Sequence, residues 1–501
     1  MMNGEASQTV NTSVHPSSLQ PCWIIGLTGH RFLGDPAAVS EALIGLIHSL
    51  RREISGTLGA VSSIAIGADT LFARAVLSLS IPWRALLPAP VSEFRGDFED
   101  EDWQAARKLL ARAVEVDIRA SPSVKDEAYL ECGMDTVDQS DVLIAIWDEK
   151  PARGTGGTGE IVTYARSLGK PLIILNPETL AMRREGFDQR AFVDREMEFL
   201  NSLPDDPRVA VPPSKAPEDL TRLFAKVDRK AAHIAPHFRR WLASSIVMNT
   251  CATILVASTI AFTLPMPLLD ATIFLMTAGA IGAVVYLKFR KIHEKWIHCR
   301  VAAEICRSAI ATWDLPRLAL PDIPGHTEAF ARLKMSIRML HLRSRPAIEP
   351  PLDQRRENYI IGRIDDQARY HRNRSVHLAK MRGRLIFLFW LCSLSAVLRG
   401  ILVGIFGTAG FSIEFVHTVS QFLPLVLPCL AACALALISV FDLNRQLARS
   451  REMEVFLASA REQTAVCENM HALQRAITRT ERFLAREIAD WYTLSQEPRY
   501  G

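Results

Sequence analysis

Four apolar stretches in the second half of this 501-residue chain limit what it can fold into: Leu242 to Leu264, Leu268 to Leu287, Leu385 to Phe406 and Phe422 to Phe441. Each is about 20 residues long, and a helix rising about 1.5 Å per residue then matches a hydrocarbon core of about 30 Å. In lipid every backbone N–H and C=O must be paired inside the structure, which leaves helices or closed barrels. Segments this long and this poor in charge are rarely the core helices of a soluble protein. The expectation is an all-α membrane domain with four transmembrane helices in two hairpins.

Charge beside these stretches sets their direction. Arg229, Lys230, Arg239 and Arg240 precede the first, and Lys288, Arg290, Lys291 and Lys295 follow the second. Arg382 and Arg384 precede the third, and Arg445, Arg449 and Arg451 follow the fourth. The connections Pro265 to Pro267 and Gly407 to Gln421 carry no Lys or Arg. Basic flanks stay on the cytoplasmic side, so both termini and the long middle region are expected in the cytoplasm. Net charge is only +4, which gives no reason to expect nucleic acid as a partner. The nine cysteines form neither a CxxC pair nor a zinc-ligand spacing, and Cys251, Cys392, Cys429 and Cys433 lie inside apolar stretches. That argues against a disulfide framework or a metal site and fits a reducing compartment. Residues 1–20 are polar, lack the apolar run of a signal peptide, and read as a disordered leader.

Residues 21–180 follow another pattern, short apolar runs alternating with amphipathic helical ones. Strands are expected at Trp23 to Leu27, Val61 to Ile66, Trp83 to Leu87, Val114 to Ile118, Val142 to Trp147 and Leu172 to Leu175. Helices are expected at Ala37 to Ile54, Thr70 to Leu79, Trp103 to Ala113 and Lys125 to Gln139, with another opening near Glu160. Strands that are nearly continuously apolar imply a parallel sheet covered on both faces, an α/β Rossmann-like fold. Such sheets bind ligands at the carboxyl ends of their strands. The further divisions are a helical extension and linker at 181–240, a first hairpin with its cytosolic helix at 241–314, a cytosolic helical region at 315–384, and a second hairpin with a C-terminal helix at 385–501.

Three glycine-bearing turns fall where strands should end. Gly26, Leu27, Thr28, Gly29, His30 and Arg31 follow the first strand, and Gly67, Ala68 and Asp69 the second. The third turn is Gly154, Thr155, Gly156, Gly157, Thr158, Gly159 and Glu160. Bare backbone lets successive N–H groups point at phosphate oxygens, and a helix starting there adds its positive end. His30 and Arg31 are candidate phosphate donors, and Asp69 a candidate acceptor for ribose hydroxyls. The competing readings are a surface loop for Gly154 to Glu160, a helix cap for Asp69 and an ordinary turn histidine for His30.

The residues that carry a family likeness are Gly-Leu-Thr-Gly-His-Arg from Gly26, Ala-Ile-Gly-Ala-Asp-Thr from Ala65 and Gly-Thr-Gly-Gly-Thr-Gly-Glu from Gly154. In these, residues 22–176 resemble the SLOG superfamily, the Rossmann-like group that includes LOG-type phosphoribohydrolases and the DNA-processing protein A domain. The membrane half resembles the SLATT domains, two-helix membrane effectors, through Lys295-Trp296 with Arg300 and Ala303-Glu304, and through Arg363 to Gln367 with Tyr370-His371. The resemblance implies a sensor-effector of bacterial anti-phage defence in the inner membrane. Its cytosolic domain would bind a nucleotide-derived or NAD-derived signal, with no cofactor required, and its helices, acting as a homo-oligomer, would alter the lipid bilayer. LOG-type enzymes carry Pro-Gly-Gly-x-Gly-Thr-x-x-Glu. Aligned on Gly156 to Gly159, this chain has Thr155 for the Pro, Glu160 for the Thr and Thr163 for the Glu. The displaced carboxylate favours binding over hydrolysis. The alternative is a membrane-tethered nucleotide N-glycosidase using Glu160 or Asp69.

Inside the membrane segments Arg399 is the unusual residue, because a charge so deep is costly and is paired, hydrated or snorkelling. Asp270 opens the second segment from the same side, so a pair or an outer pore ring stands beside simple snorkelling. Gly400 with Gly404, and Gly279 with Ala283, form small-residue faces expected to pack against neighbouring helices.

Overall fold

The structure is a computed structural model that describes residues 19–118, 125–151, 156–187, 192–204, 214–262, 267–289, 292–322, 330–345, 349–406 and 414–496. The leader up to residue 18, Gly154 and Thr155, most of the linker, and the connections between paired apolar segments lie outside the described residues. Two compact units are formed, one from residues 1–223 and 328–348, the other from 224–327 and 349–501.

The first unit runs β1 (Cys22–Gly29), α1 (Pro36–Glu53), β2 (Thr57–Ser62), α2 (Ala68–Ser78), β3 (Trp83–Leu87), α3 (Val91–Phe94), a 3-10 turn (Arg95–Asp97), α4 (Asp100–Leu110), β4 (Glu115–Ile118), α5 (Lys125–Asp138), β5 (Val142–Ile146), α6 (Thr158–Ser167), β6 (Leu172–Leu175), β7 (Met182–Glu185) and α7 (Arg195–Asn201). Among the described residues these strands form one sheet, ordered β4-β3-β2-β1-β5-β6-β7. All neighbours are parallel except β6 and β7. The pleat sends Trp23, Ile25 and Leu27 to one face, where they pack with apolar residues of α1, α2 and α4. Cys22 and Ile24 face the other side. Local signals place the helices. Asp35 accepts from the N–H groups of Ala37 and Ala38, and Pro36 opens α1, the usual chemistry of a helix start.

The chain continues through α8 (Glu218–Phe262), α9 (Pro267–Phe289), α10 (Ile292–Ala311) and α11 (Ala331–Arg343). Helix α11 belongs to the first unit, although it lies between the two membrane hairpins in sequence. Its Met339 and Leu342 complete the core around Cys22, Ile24, Val61, Leu86 and Cys132. Arg332 fixes it in place by a bidentate bond to Asp141 at 2.6 and 2.7 Å, a bond to the Cys22 carbonyl at 2.7 Å, and a stack 3.7 Å from the Trp23 ring. The Cys22 N–H donates to Ser336 Oγ at 2.9 Å, and Arg338 pairs with Glu115.

The second unit adds α12 (Leu352–Tyr359), a π-helical segment (Ile360–Asp365), α13 (Asp366–Phe406), α14 (Glu414–Val440), α15 (Leu443–Ala465) and α16 (Met470–Gln496). Four helical stretches are long and apolar enough to cross a membrane: Arg240–Ile260, Pro267–Leu287, Phe422–Val440 and the apolar part of Leu352–Ile405. Ile260, Phe274, Leu275, Phe387, Leu394 and Ile405 are largely exposed on them, which water disfavours and lipid accepts. Ser245 Oγ donates to the Ala280 carbonyl at 2.9 Å. A Cβ on Gly279 would stand 2.4 Å from Met248 Cε, so α8 and α9 pack closely there. Gly400 and Gly404 differ from expectation. A Cβ on either would meet nothing within 4 Å. Away from the apolar stretches, Tyr359, Ile364, Met453, Leu457, Leu473 and Ile477 form a buried core.

Candidate functional site

Strand order reverses once in the sheet. From β1 the chain builds outwards through β2, β3 and β4, then crosses back to lay β5 on the other side of β1. The carboxyl ends of β1 and β5 therefore diverge, and a cavity of about 690 Å³ opens there. Gly26 to Gly29 lie within β1 and not in a turn after it. The strand's end therefore lines the cavity with Thr28 and Gly29, and the turn beyond it with His30 and Arg31. Helix α2 brings Asp69, and the third turn, running into α6, brings Gly156, Gly157, Thr158 and Gly159. Gly26, Gly67, Ala68 and Glu160 are not among its lining residues.

The glycines have two separate reasons. Gly67 adopts φ 90°, and a Cβ there would stand 2.2 Å from the Arg31 carbonyl oxygen, so the first and second turns touch only through bare backbone. The Ala68 N–H donates to the His30 carbonyl at this contact, at 3.1 Å. In the third turn Gly157 precedes the first residue of α6 in ordinary extended geometry, φ −71° and ψ 157°, and the cavity is lined by the backbone that follows. The positive end of α6 thus borders the space.

Glu160 reaches back from the first turn of α6 to accept the Gly156 N–H at 2.9 Å. This resembles the reciprocal half of a capping box and holds the loop. Of the two carboxylates that a hydrolase would use, only Asp69 lines the cavity. It does not cap α2, which carries no side-chain cap. Its Oδ2 accepts the Ala65 N–H at 3.1 Å, pinning the turn that follows β2. Burial pushes its carboxyl up to about 7 from an ordinary 3.8, partly opposed by the Ala65 N–H and by Arg31.

Several lining residues carry no motif signal. The His30 Nε2 and Asp148 Oδ1 are 2.8 Å apart, and Lys150 Nζ reaches the other Asp148 oxygen at 3.0 Å. Burial alone would raise the Asp148 carboxyl, but the Lys150 and His30 contacts outweigh it and hold it well below the usual range. Asp148 follows β5 by two residues, so only strand pairing brings it to His30, 118 positions earlier. On α5, Lys125 and Tyr129 both bind Asp97. Arg31 lies over the Tyr129 ring at 5.2 Å and forms no ion pair among the described residues. Ser63 Oγ is buried without a partner and lines the same cavity. The cavity therefore offers a guanidinium that is hydrogen-bonded to Tyr129 but forms no ion pair among the described residues, an unsatisfied hydroxyl and a helix N-terminus, all of them donors that suit an anion.

Arg399 lies partly buried in α13, and Asp270 is exposed in the first turn of α9. No ion pair joins the two among the described residues. Neither a protein-family model nor a curated protein matches this chain.

Proposed function

We propose that this protein is a membrane-anchored sensor-effector. Its α/β unit binds a nucleotide-derived or NAD-derived anion at the switch-point cavity, and occupancy of that cavity acts on the apolar helices to change membrane permeability. The observation that carries the reading is the convergence of Arg31, Ser63 and the α6 N-terminus on one cavity at the ends of β1 and β5. The four apolar helices fit a membrane-associated protein. The resemblance to SLOG and SLATT domains supplies the setting, bacterial defence at the inner membrane by a homo-oligomer with both termini in the cytoplasm.

Gly157→Asp tests this in the full-length protein. The backbone at Gly157 is extended, a conformation open to any residue, and Asp is a favoured helix cap, so circular dichroism should show the variant folded. Its carboxylate would nevertheless face the ligand's charge. Loss of a charged contact costs about 1.5–3 kcal/mol, roughly 10- to 100-fold in affinity. Mass spectrometry of small molecules carried through purification should find the ligand on wild type and not on the variant, and cells should lose the membrane effect. A variant that keeps both ligand and membrane effect sinks the proposal.

A second reading, a membrane-tethered N-glycosidase, draws on Asp69, whose carboxyl exchanges its proton near neutral pH inside the cavity. Chromatography separates the two readings. A sensor leaves a bound nucleotide intact, whereas a hydrolase releases free base, and Asp69→Asn stops that release.

A further inference from the structure

Beside the main cavity lies a second one of about 320 Å³, within the size range of small-ligand pockets. Arg31 and Phe32 line both, so they form a shared wall. Phe32 is 86% exposed on that wall. The second cavity is completed by Thr70 and Arg74 of α2, Phe98, and Asp102 of α4. The Arg74 and Asp102 side chains are exposed, and neither forms an ion pair or hydrogen bond among the described residues. An aromatic row runs between the two spaces. Tyr129 of the main cavity lies 6.3 Å from the buried Phe94, which lies 5.1 Å from Phe98 of the second.

From this arrangement we infer that the second cavity is a subsite for a planar, hydrogen-bonding ring, joined through phosphate to the part of the ligand held in the main cavity. The protein then selects dinucleotide-type ligands over mononucleotides. The inference deepens the nucleotide reading above and rests on it. Arg31 stands at the junction, held beside Tyr129 and forming no ion pair among the described residues, and the remaining donors of its planar fork suit a bridging phosphate. Past that junction a ring finds the aromatic faces of Phe32 and Phe98 to stack on, and covering Phe32 removes an apolar surface from water. The ring's edge finds complementary partners. Asp102 accepts from an exocyclic amine, and Arg74 donates to a ring nitrogen or carbonyl. A mononucleotide seated in the main cavity leaves Phe98, Asp102 and Arg74 unused.

Titration calorimetry on the full-length protein in detergent tests this, with AMP and diadenosine diphosphate as probes. Wild type should bind the dinucleotide at least about tenfold tighter than AMP, the equivalent of one good charge-assisted contact. Arg74→Ala combined with Asp102→Ala should erase that preference and leave AMP affinity unchanged. Both positions are exposed and helical, where Ala is favoured. Equal affinities for the two probes in wild type overturn the subsite while leaving the main-cavity reading intact. So does a double variant that retains the preference or weakens both probes alike. If neither probe binds, the nucleotide reading itself fails and the subsite fails with it.

Discussion

Arg363 of the second unit and Arg31 of the first sit in opposite surroundings. In the second unit Arg363 is 2% exposed and its guanidinium is claimed from two sides, by Glu304 at 2.6 Å and by Glu481 at 2.7 and 2.9 Å. Tyr359 donates to the same Glu481 at 2.7 Å, and Arg307 joins Glu304 to Asp228. Five helical elements, α8, α10, α12, the π-helical segment and α16, meet in this network. Burial alone would lower the Arg363 pKa and raise that of Glu304. Each is driven the other way by the opposite charges around it. In the first unit Arg31 is exposed at the cavity and forms no ion pair among the described residues, and the uncharged Ser63 Oγ beside the same cavity is buried without a partner. Burial between two carboxylates marks charge that holds helices together, and exposure without an ion pair leaves guanidinium donors over for solvent or a ligand.

The largest effect expected from this contrast belongs to Arg363. Arg363→Met leaves Glu481 buried without a cation and Glu304 with Arg307 in place of two flanking guanidinium groups, which costs about 3–5 kcal/mol, and denaturant unfolding of the solubilised protein should show it. Adding Glu304→Gln and Glu481→Gln should return most of that loss. If the single change is harmless, the network is not structural and the contrast breaks.

Asp69 should have a smaller, pH-dependent effect, on the order of 1 kcal/mol once the water in the cavity is allowed for. Its folded pKa lies above its unfolded one, so the folded state holds a proton between about pH 4 and pH 7 that the unfolded chain has released. That stabilisation is complete below the unfolded pKa and is lost as pH rises through about 7. Melting temperatures of wild type and Asp69→Asn, compared from pH 5 to pH 8, should diverge in favour of Asn as pH rises. A gap that stays constant with pH would show that the carboxyl is not desolvated.

Arg399 should matter least. Arg399→Leu exchanges a residue that costs roughly 2.5–3.5 kcal/mol at mid-bilayer for one that lipid accepts. Insertion, ligand binding and ion flux should be unchanged. Altered flux in liposomes would give this charge a part in conduction and sharpen the contrast into three classes of charge.

Much of the sheet was legible because its strands are short apolar runs with nothing to confuse them. Trp83–Leu87 and Leu172–Leu175 form at the expected residues. The second strand lies at Thr57–Ser62, four residues before the expected start, because Ile64 is buried in the turn beyond it and prolongs the apolar signal. Strand β7 carries Met-Arg-Arg-Glu and pairs antiparallel at the sheet's edge, where exposure of successive residues removes the apolar pattern that identifies a strand. Its charges are instead spent on side-chain pairs, Arg184 with Glu53 and Arg166 with Glu185.

The sequence by itself determined the properties that neighbouring residues fix together. These are the apolar length of the four helices, the alternation that makes an α/β sheet, and the glycines where one strand's turn must meet another's. Only the tertiary structure decided which distant groups meet. It seats α11 on the sheet through Arg332, Asp141 and Trp23, sets Asp148 against His30, brings Arg31 over Tyr129, and turns Glu160 towards its own loop. Periodicity and turn chemistry act over a few residues and so can be read along a chain. The pairing of β1 with β5, and the choice of helix that covers a sheet face, depend on packing between segments far apart in sequence, and no local pattern records them.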